Sequence, residues 1–285
     1  MIDTAKPPPL IGFRIWMVLG TLAVLLAGGL ALFHTIDLAP LKVDTRVRLL
    51  PPLSVLADGS VAVFGTDQVG RDVFRQVLEG ARTSLFIALS AAGISAAFGT
   101  IVGLIAGWFG GRTEAAIMRV VDIQLSFPSI LIAVFLAAFL PPSLVSVIAV
   151  LAITRWALLA RLSRAITVRA RSQGYVEAAL VSGFSTMKIL RSCIAPNLVA
   201  PLLVIITAEI SELILAEAAL GFLGLGAPAD VISWGRTIAN GRNYLDNAWW
   251  ISTLPGLTIA VIVIAIGVAS EVLRKRLTRS GWTML

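Results

Sequence analysis

The stretch Leu198–Leu225 reads LVAPLLVIITAEISELILAEAALGFLGL, an apolar run in which three glutamates are the only charged residues. A helix needs about 20 mostly apolar residues to cross the hydrocarbon core of a bilayer, and this run is long enough. The whole chain has the same character, since 58% of its 285 residues are hydrophobic and 14% are charged. Because soluble domains carry about 25% charged residues, this composition indicates an integral membrane protein and excludes a disordered one.

Further apolar runs have the length of a membrane span, so the sequence predicts an all-α fold with about six transmembrane helices. Besides Leu198–Leu225, the runs are Ile15–Phe33, Leu85–Phe109, Ile117–Leu140, Leu144–Leu162 and Ile251–Leu273. The first run is long for a signal sequence, and no small-residue cleavage site follows it closely. We therefore interpret it as a retained helix. The pair Trp249-Trp250 before the last run is interpreted as a membrane-interface pair.

Lysine and arginine are concentrated in alternate segments, and the densest segment follows the fourth run, with Arg155 and Arg161 counted as part of it. The excess of basic residues on cytoplasmic loops places both termini in the cytoplasm. Orientation thus accounts for the net charge of +7 without a nucleic-acid partner. The predicted organisation is a cytoplasmic N-terminus with the first helix (1–36), a periplasmic loop (37–82), a core of five helices (83–275) with a cytoplasmic loop at about 165–197, and a cytoplasmic tail (276–285).

The cytoplasmic loop contains YVEAALVSGF at Tyr175–Phe184, in which helix-forming residues are followed by a glycine. This pattern predicts a short helix that ends in a tight turn at Gly183, where glycine can adopt a left-handed conformation. A second short apolar stretch, Met187–Ile194, leads to Pro196, which can occupy the first turn of the following helix. The loop is therefore predicted to contain two short helices joined by a turn.

The spacing of Glu177-Ala178-Ala179, then Gly183, then Pro196, resembles the EAA loop of ABC importer permeases. In that family the loop docks on the ATP-binding subunit and transmits its closure. The small alanine side chains would allow another surface to pack closely on the first helix. The resemblance implies an ATPase-coupling loop whose residues are Tyr175, Glu177, Ala178, Ala179, Gly183, Phe184 and Pro196.

Three other blocks narrow the resemblance to permeases of the DppC/OppC peptide-transport type. They are Gly65–Asp72 with Gly80–Leu85, Met118-Arg119 with Asp122 and Ser126-Phe127-Pro128, and Glu217 with Gly221–Gly226 and Trp234-Gly235. The resemblance covers about residues 37–265 and implies the type I ABC importer permease fold in a bacterial inner membrane. It also implies a peptide or peptide-like solute. The implied partners are a second permease subunit of the DppB/OppB type, two ATP-binding subunits, a periplasmic solute-binding protein and the surrounding lipid.

The chain lacks the residues that most enzymes and ATP-binding proteins need. No G-x-x-x-x-G-K-[ST] motif is present to hold ATP phosphates. His34 and Cys193 are the only residues of their types, too few for a His/Cys zinc site. We therefore predict a transport subunit that is not an enzyme and holds no cofactor or metal, with ATP and Mg on the partner ATPase. The alternative is a self-sufficient secondary transporter or channel. It would predict internal repeats or broken helices in matching halves. We detect no internal repeat, and this alternative would leave the loop unexplained.

Glu209, Glu212 and Glu217 fall within roughly a 140° sector of one predicted helix. A charged group at mid-bilayer costs about 2.5–3.5 kcal/mol on insertion scales, so these acids should face protein or water. They are candidate residues of the translocation path, where they would favour cationic groups such as a peptide amino terminus. For Glu209 and Glu212, hydrogen bonding to neighbouring helices is an equal alternative, and for Glu217 we favour that structural role.

Glycines recur at a spacing of four in the second run, at Gly99, Gly103 and Gly107. Such spacing allows two helices to approach closely. We expect this surface to pack mainly within the chain, although part of it could face a partner permease.

Overall fold

The computed structural model describes residues 41–279, apart from residues 42, 57 and 58. The predicted first span, Ile15–Phe33, lies outside the described residues, as does the end of the C-terminal tail. In the described part, four helices are long and apolar enough to cross a membrane, and a bent pair would make a fifth. The prediction of an all-α integral membrane fold is confirmed.

The helices follow one another in the order in which the apolar runs predict them. They are α1 (Val73–Phe109), α2 (Gly111–Leu125), α3 (Ser129–Phe139), α4 (Leu144–Arg171), α5 (Gly174–Val181), α6 (Thr186–Ile189), α7 (Ala195–Phe222), α8 (Trp234–Gly241), α9 (Leu245–Ala248) and α10 (Trp250–Arg279). A π-helical turn, Leu190–Ile194, joins α6 to α7. A small antiparallel hairpin, β1 (Ser54–Val55) with β2 (Val61–Ala62), precedes α1, and Ser54 lies opposite Ala62.

Helices α1 and α4 pack against each other through the glycines of α1. A Cβ atom on Gly99 would lie 2.5 Å from the backbone oxygen of Trp156, and one on Gly103 would lie 2.4 Å from that of Ala160. Gly107 meets α4 one turn further on. The prediction that the glycine surface packs within the chain is thus confirmed, and it allows the two backbones to touch almost directly.

The predicted span Ile117–Leu140 is not one straight helix. The helix is interrupted between α2 and α3, and the two helices meet at a bend of 88°. The break contains Pro128, which lacks an N–H group and disfavours helical geometry in the residue before it. The prediction of one continuous helix was therefore wrong, because the high hydropathy of the run gave no sign of the helix-breaking proline within it.

Ion pairs hold α2 against α4. Arg161 pairs with Asp122, and Arg164 pairs with Glu114. The first pair is about half exposed and the second is more enclosed. Exposed ion pairs are weak individually, so we regard them as fixing the position of α2 rather than as a main source of stability.

The segment before α1 forms a polar cap at the end of the bundle where α1 begins. Asp67 is buried, and its carboxylate accepts hydrogen bonds from the backbone of Val69, from Arg71 and from the side chain of Gln76. The indole N–H of Trp250 donates to the backbone oxygen of Thr66 at 3.1 Å. Trp250 is therefore buried under this cap, which corrects its interpretation as a membrane-interface residue.

Candidate functional site

The loop between α4 and α7 has the local structure that its sequence predicts. Helix α5 ends in a turn in which the Gly183 N–H donates to the Leu180 oxygen and the Phe184 N–H donates to the Ala179 oxygen. These two bonds define a Schellman motif, in which the residue after the C-cap is left-handed. Gly183 occupies that position with φ of 75°. The pattern of helix formers followed by glycine thus predicted both the helix and its end.

One side of this loop is buried and the other is open. Val176 and Ile189 are fully buried, and Ala179 packs on the hydrophobic core. The exposed loop surface consists of Glu177, Ala178, Val181, Gly183, Phe184 and Met187. Val181 is 85% exposed and Met187 is 55% exposed, which are high values for apolar side chains. An apolar patch with a polar rim is typical of a protein–protein contact.

Two charged residues border the apolar part of the exposed loop surface. The Lys188 ammonium lies 3.7 Å from the centroid of the Phe184 ring, a cation–π contact that holds the ring in place. Glu177 is exposed, and its carboxylate has no ion-pair partner among the residues that the structure describes. It is therefore free to meet a cation on another subunit.

A hydrogen-bond network links the start of α5 to the start of α7. The Asn197 amide donates to the Tyr175 hydroxyl at 2.8 Å and to the Cys193 backbone oxygen at 2.9 Å. Partial burial raises the pKa of Tyr175, so its phenol stays protonated at neutral pH. Pro196 lies in the first turn of α7, as expected. The sequence analysis missed Asn197, because only the fold brings it to Tyr175.

A charged trio occupies the middle of the bundle, where α4 faces α7. Nη1 of Arg155 lies 3.4 Å from a carboxylate oxygen of Glu209 and also pairs with Glu212. Glu209 is 5% exposed, whereas the side chain of Glu212 is 60% exposed. Two of the three predicted acids therefore share one cation, and only Glu212 opens toward the surface of the chain.

The sequence analysis missed the role of Arg155. It was counted among the basic residues that mark the cytoplasmic side, although it lies inside the apolar run Leu144–Leu162. An arginine inside one span and glutamates inside another are the signal that could have identified the pairing, since charges within membranes are usually paired.

Glu217 is separated from this trio and is fully buried. The hydroxyl groups of Ser84 and Ser233 lie beside its carboxyl group. Both hydroxyl oxygens accept hydrogen bonds from backbone N–H groups at the start of α8, Ser84 from Trp234 and Ser233 from Arg236. Their protons can therefore turn toward Glu217. This enclosure favours the structural role of Glu217, because a group without exposed surface cannot contact a solute in this conformation.

The described residues contain no group of three or more His, Cys, Asp or Glu residues that could hold a metal ion. The chemistry that remains at the site is electrostatic and mechanical. The exposed loop surface can receive a partner, the Tyr175–Asn197 network can transmit a displacement, and the charged trio can interact with ions.

Comparison with known proteins agrees with these features. Residues 99–280 match the family described as binding-protein-dependent transport system inner membrane component. The di/tripeptide transport system permease protein DppC of Pseudomonas aeruginosa (strain UCBPP-PA14) is 41% identical over 233 residues, 81% of this chain and 77% of that protein. The oligopeptide transport system permease protein OppC of Bacillus subtilis (strain 168) is 36% identical over 214 residues, 75% of this chain and 70% of that protein.

The fold has solved counterparts. An inward-facing structure of the MetNI methionine ABC transporter matches 71% of this chain and 96% of its own chain, with a TM-score of 0.59 and 19% sequence identity. At that identity the likeness concerns the fold, and it confirms the type I importer permease architecture. The relatives are transport subunits, so the prediction that the chain is not an enzyme is also confirmed. The chain belongs to the family of binding-protein-dependent transport system inner membrane components.

Proposed function

We propose that this chain is a permease subunit of an ATP-driven ABC importer for peptides or peptide-like solutes in a bacterial inner membrane. The exposed loop surface carries the proposal, because a self-sufficient transporter or channel would have no use for it. The chain would form half of the translocation path. Its partners would be a second permease subunit of the DppB/OppB type, two ATP-binding subunits that hold ATP and Mg, and a periplasmic solute-binding protein.

The loop couples ATP hydrolysis to the helices in two steps. The exposed loop surface docks on an ATP-binding subunit, and closure of the ATPase pair displaces it. The Tyr175–Asn197 hydrogen bond then passes the displacement from α5 to the start of α7. Because α7 carries Glu209 and Glu212 and packs on α10 and α1, its movement changes which side of the membrane the path faces. This is a two-state change that the partner biases.

In this proposal Glu212 lines the path, and the enclosed Glu209 acts on it through the shared Arg155. Glu212 supports it, because an acid with a 60% exposed side chain inside a membrane span requires water, protein or solute next to it. A negatively charged translocation path attracts the positively charged amino terminus of a peptide. A contact of Glu212 with the second permease subunit is the competing interpretation.

The proposed function is tested by purifying the chain with its candidate partners and measuring transport. We expect an ATP-binding subunit to copurify and its ATPase activity to depend on this chain and on the solute-binding protein. In proteoliposomes, uptake of a labelled dipeptide should require ATP. Uptake by the chain alone, driven by an ion gradient, would instead support the secondary transporter.

Replacing Tyr175 with phenylalanine should reduce the number of peptides carried per ATP hydrolysed. The change removes the hydroxyl that accepts the Asn197 hydrogen bond and leaves the ring in place. A hydrogen bond contributes about 0.5–1.5 kcal/mol, so we expect a loss of coupling of roughly threefold to tenfold. The control is Tyr244→Phe, which changes the only other tyrosine, at the other end of the bundle. Equal ratios of uptake to hydrolysis in both variants would contradict the proposed link.

Replacing Glu212 with glutamine should reduce uptake of peptides that have a free amino terminus. Glutamine keeps the shape of the side chain and its capacity to accept a hydrogen bond from Arg155, but it removes the charge. An exposed ionic contact contributes about 0.2–1 kcal/mol, so the expected loss is roughly 1.4-fold to fivefold. Uptake of an N-acetylated peptide of the same size should not change. Unchanged uptake of both peptides would place Glu212 outside the path.

A further inference from the structure

The charged trio is not electrically balanced. With both carboxyl groups ionised, Glu209 and Glu212 supply two negative charges, and Arg155 supplies one positive charge. The neighbouring ion pairs on α4 differ in this respect, since Arg161 and Arg164 each pair with a single acid. Charges inside a membrane protein are costly unless they are paired. One further positive charge would therefore balance the trio.

The geometry indicates where that charge would lie. Arg155 reaches both carboxylates through the same nitrogen, Nη1, and its side chain is only 15% exposed. Glu209 is enclosed beside it at 6% side-chain exposure. The side chain of Glu212, in contrast, is 60% exposed. An additional cation can therefore approach Glu212 but not Glu209.

We propose that Arg155 determines how many positive charges the path accepts on a solute. Its single charge balances one of the two negative charges and leaves one unbalanced charge, which an ammonium group of the passing peptide can approach only at Glu212. This rests on the proposed function, and specifically on a path that runs past Glu212. The path then favours solutes with one ammonium group over solutes with none, and it gives a second ammonium group no further advantage.

Without Arg155, the two glutamates would carry two unbalanced charges. The removal of a cation from between them increases the attraction for any cation that approaches. A peptide with two ammonium groups should then gain relative to a peptide with one. A lysine at position 155 would preserve the charge and should preserve the selectivity, even though its single ammonium group pairs with carboxylates in a different geometry.

The experiment measures uptake of three dipeptides of similar size by the reconstituted complex with its solute-binding protein. One dipeptide is neutral in its side chains with a free amino terminus, the second is its N-acetylated form, and the third carries a lysine. Each variant is compared with the parent chain through ratios of uptake, so that the selectivity of the binding protein cancels. We expect Arg155→Gln to raise the ratio of lysine dipeptide to neutral dipeptide roughly threefold, and Arg155→Lys to leave it unchanged.

Arg161→Gln is the matched control, because it removes a guanidinium from the same helix and breaks an ion pair of similar type. We expect it to leave all three ratios unchanged. A general weakening of α4 would instead change the ratios in Arg161→Gln as well as in Arg155→Gln. If Arg155→Gln and Arg161→Gln shift the ratio equally, the effect is not specific to the trio and the inference is wrong.

Glu209→Gln provides a second test that does not remove Arg155. The solute cannot reach Glu209, but its neutralisation leaves Arg155 to pair fully with Glu212. We therefore expect the preference for the free amino terminus over the N-acetylated form to disappear, as in Glu212→Gln. A preference retained in Glu209→Gln but lost in Glu212→Gln would overturn the role of Arg155 and leave the path intact. A preference unchanged in both variants would overturn the path as well.

Discussion

Replacing Gly183 with leucine is expected to abolish ATP-driven uptake while the chain still accumulates in the membrane. Gly183 is left-handed, and a side chain there costs about 1–2 kcal/mol in backbone strain, too little to unfold the chain. Apart from Gly183 and its two chain neighbours, no atom of the described residues lies within 4 Å of the position that its Cβ would take. A leucine would therefore project from the exposed loop surface, on which we propose that the ATP-binding subunit docks. Loss of docking should remove uptake and the dependence of ATPase activity on the solute-binding protein.

The chain contains a closely matched control for this experiment at the opposite end of α7. Gly224 has φ of 77° and follows α7 in the same hydrogen-bond pattern. Apart from its chain neighbours, no atom in the described part of the chain lies within 4 Å of its Cβ position. Gly224→Leu introduces the same strain and the same side chain away from the loop. Copurification of the ATP-binding subunit should be lost in Gly183→Leu and retained in Gly224→Leu. Normal uptake in Gly183→Leu would refute the assignment of the loop.

Replacing Gly103 with leucine should have an equally large effect for a different reason, because it should prevent the chain from folding. A Cβ atom alone would lie 2.4 Å from the Ala160 oxygen and 2.6 Å from the Ser163 Cβ. The first of these contacts is backbone, which cannot move aside as a flexible side chain can. Overpacking typically costs about 1–3 kcal/mol, and a leucine between two touching backbones should exceed that range.

The folding defect is measured by the amount of chain in the membrane and by the unfolding temperature of the purified complex. Gly267→Leu in α10 is the control, because no described atom outside the adjacent residues and backbone of that helix lies within 4 Å of the Cβ position of Gly267. We expect normal accumulation for Gly267→Leu and little or none for Gly103→Leu. Equal accumulation of the two would show that α1 and α4 can separate, contrary to the packing described above.

Local patterns predicted local structure well. The two short helices of the loop, the left-handed turn at Gly183 and the position of Pro196 all depend on neighbours in sequence, and all are present. The glycines of α1 were also predictable, because a spacing of four places them on one helix face whatever that face contacts. The bend before Pro128 was missed, since hydropathy averaged over a window gives little weight to one residue.

Contacts between distant parts of the chain were not predictable from one sequence. The pairing of Arg155 with Glu209 and Glu212 joins residues more than 50 positions apart, and it depends on how α4 faces α7. The burial of Trp250 depends on a cap formed far earlier in the chain. The sequence could indicate that three acids needed protection from lipid. It could not indicate that one acid, Glu217, would be fully buried while another would remain exposed.

The close packing of α1 on α4 restricts how the protein can move. Two helices whose backbones touch over several turns have no space in which to slide or separate, so they move as one rigid body. That body runs from the loop, which α4 enters, to the polar cap, from which α1 emerges. A rotation of this body at one end therefore turns its other end through the same angle. Opening on one face of the membrane and closing on the other are then a single motion. A conformation open at both faces would require α1 and α4 to separate.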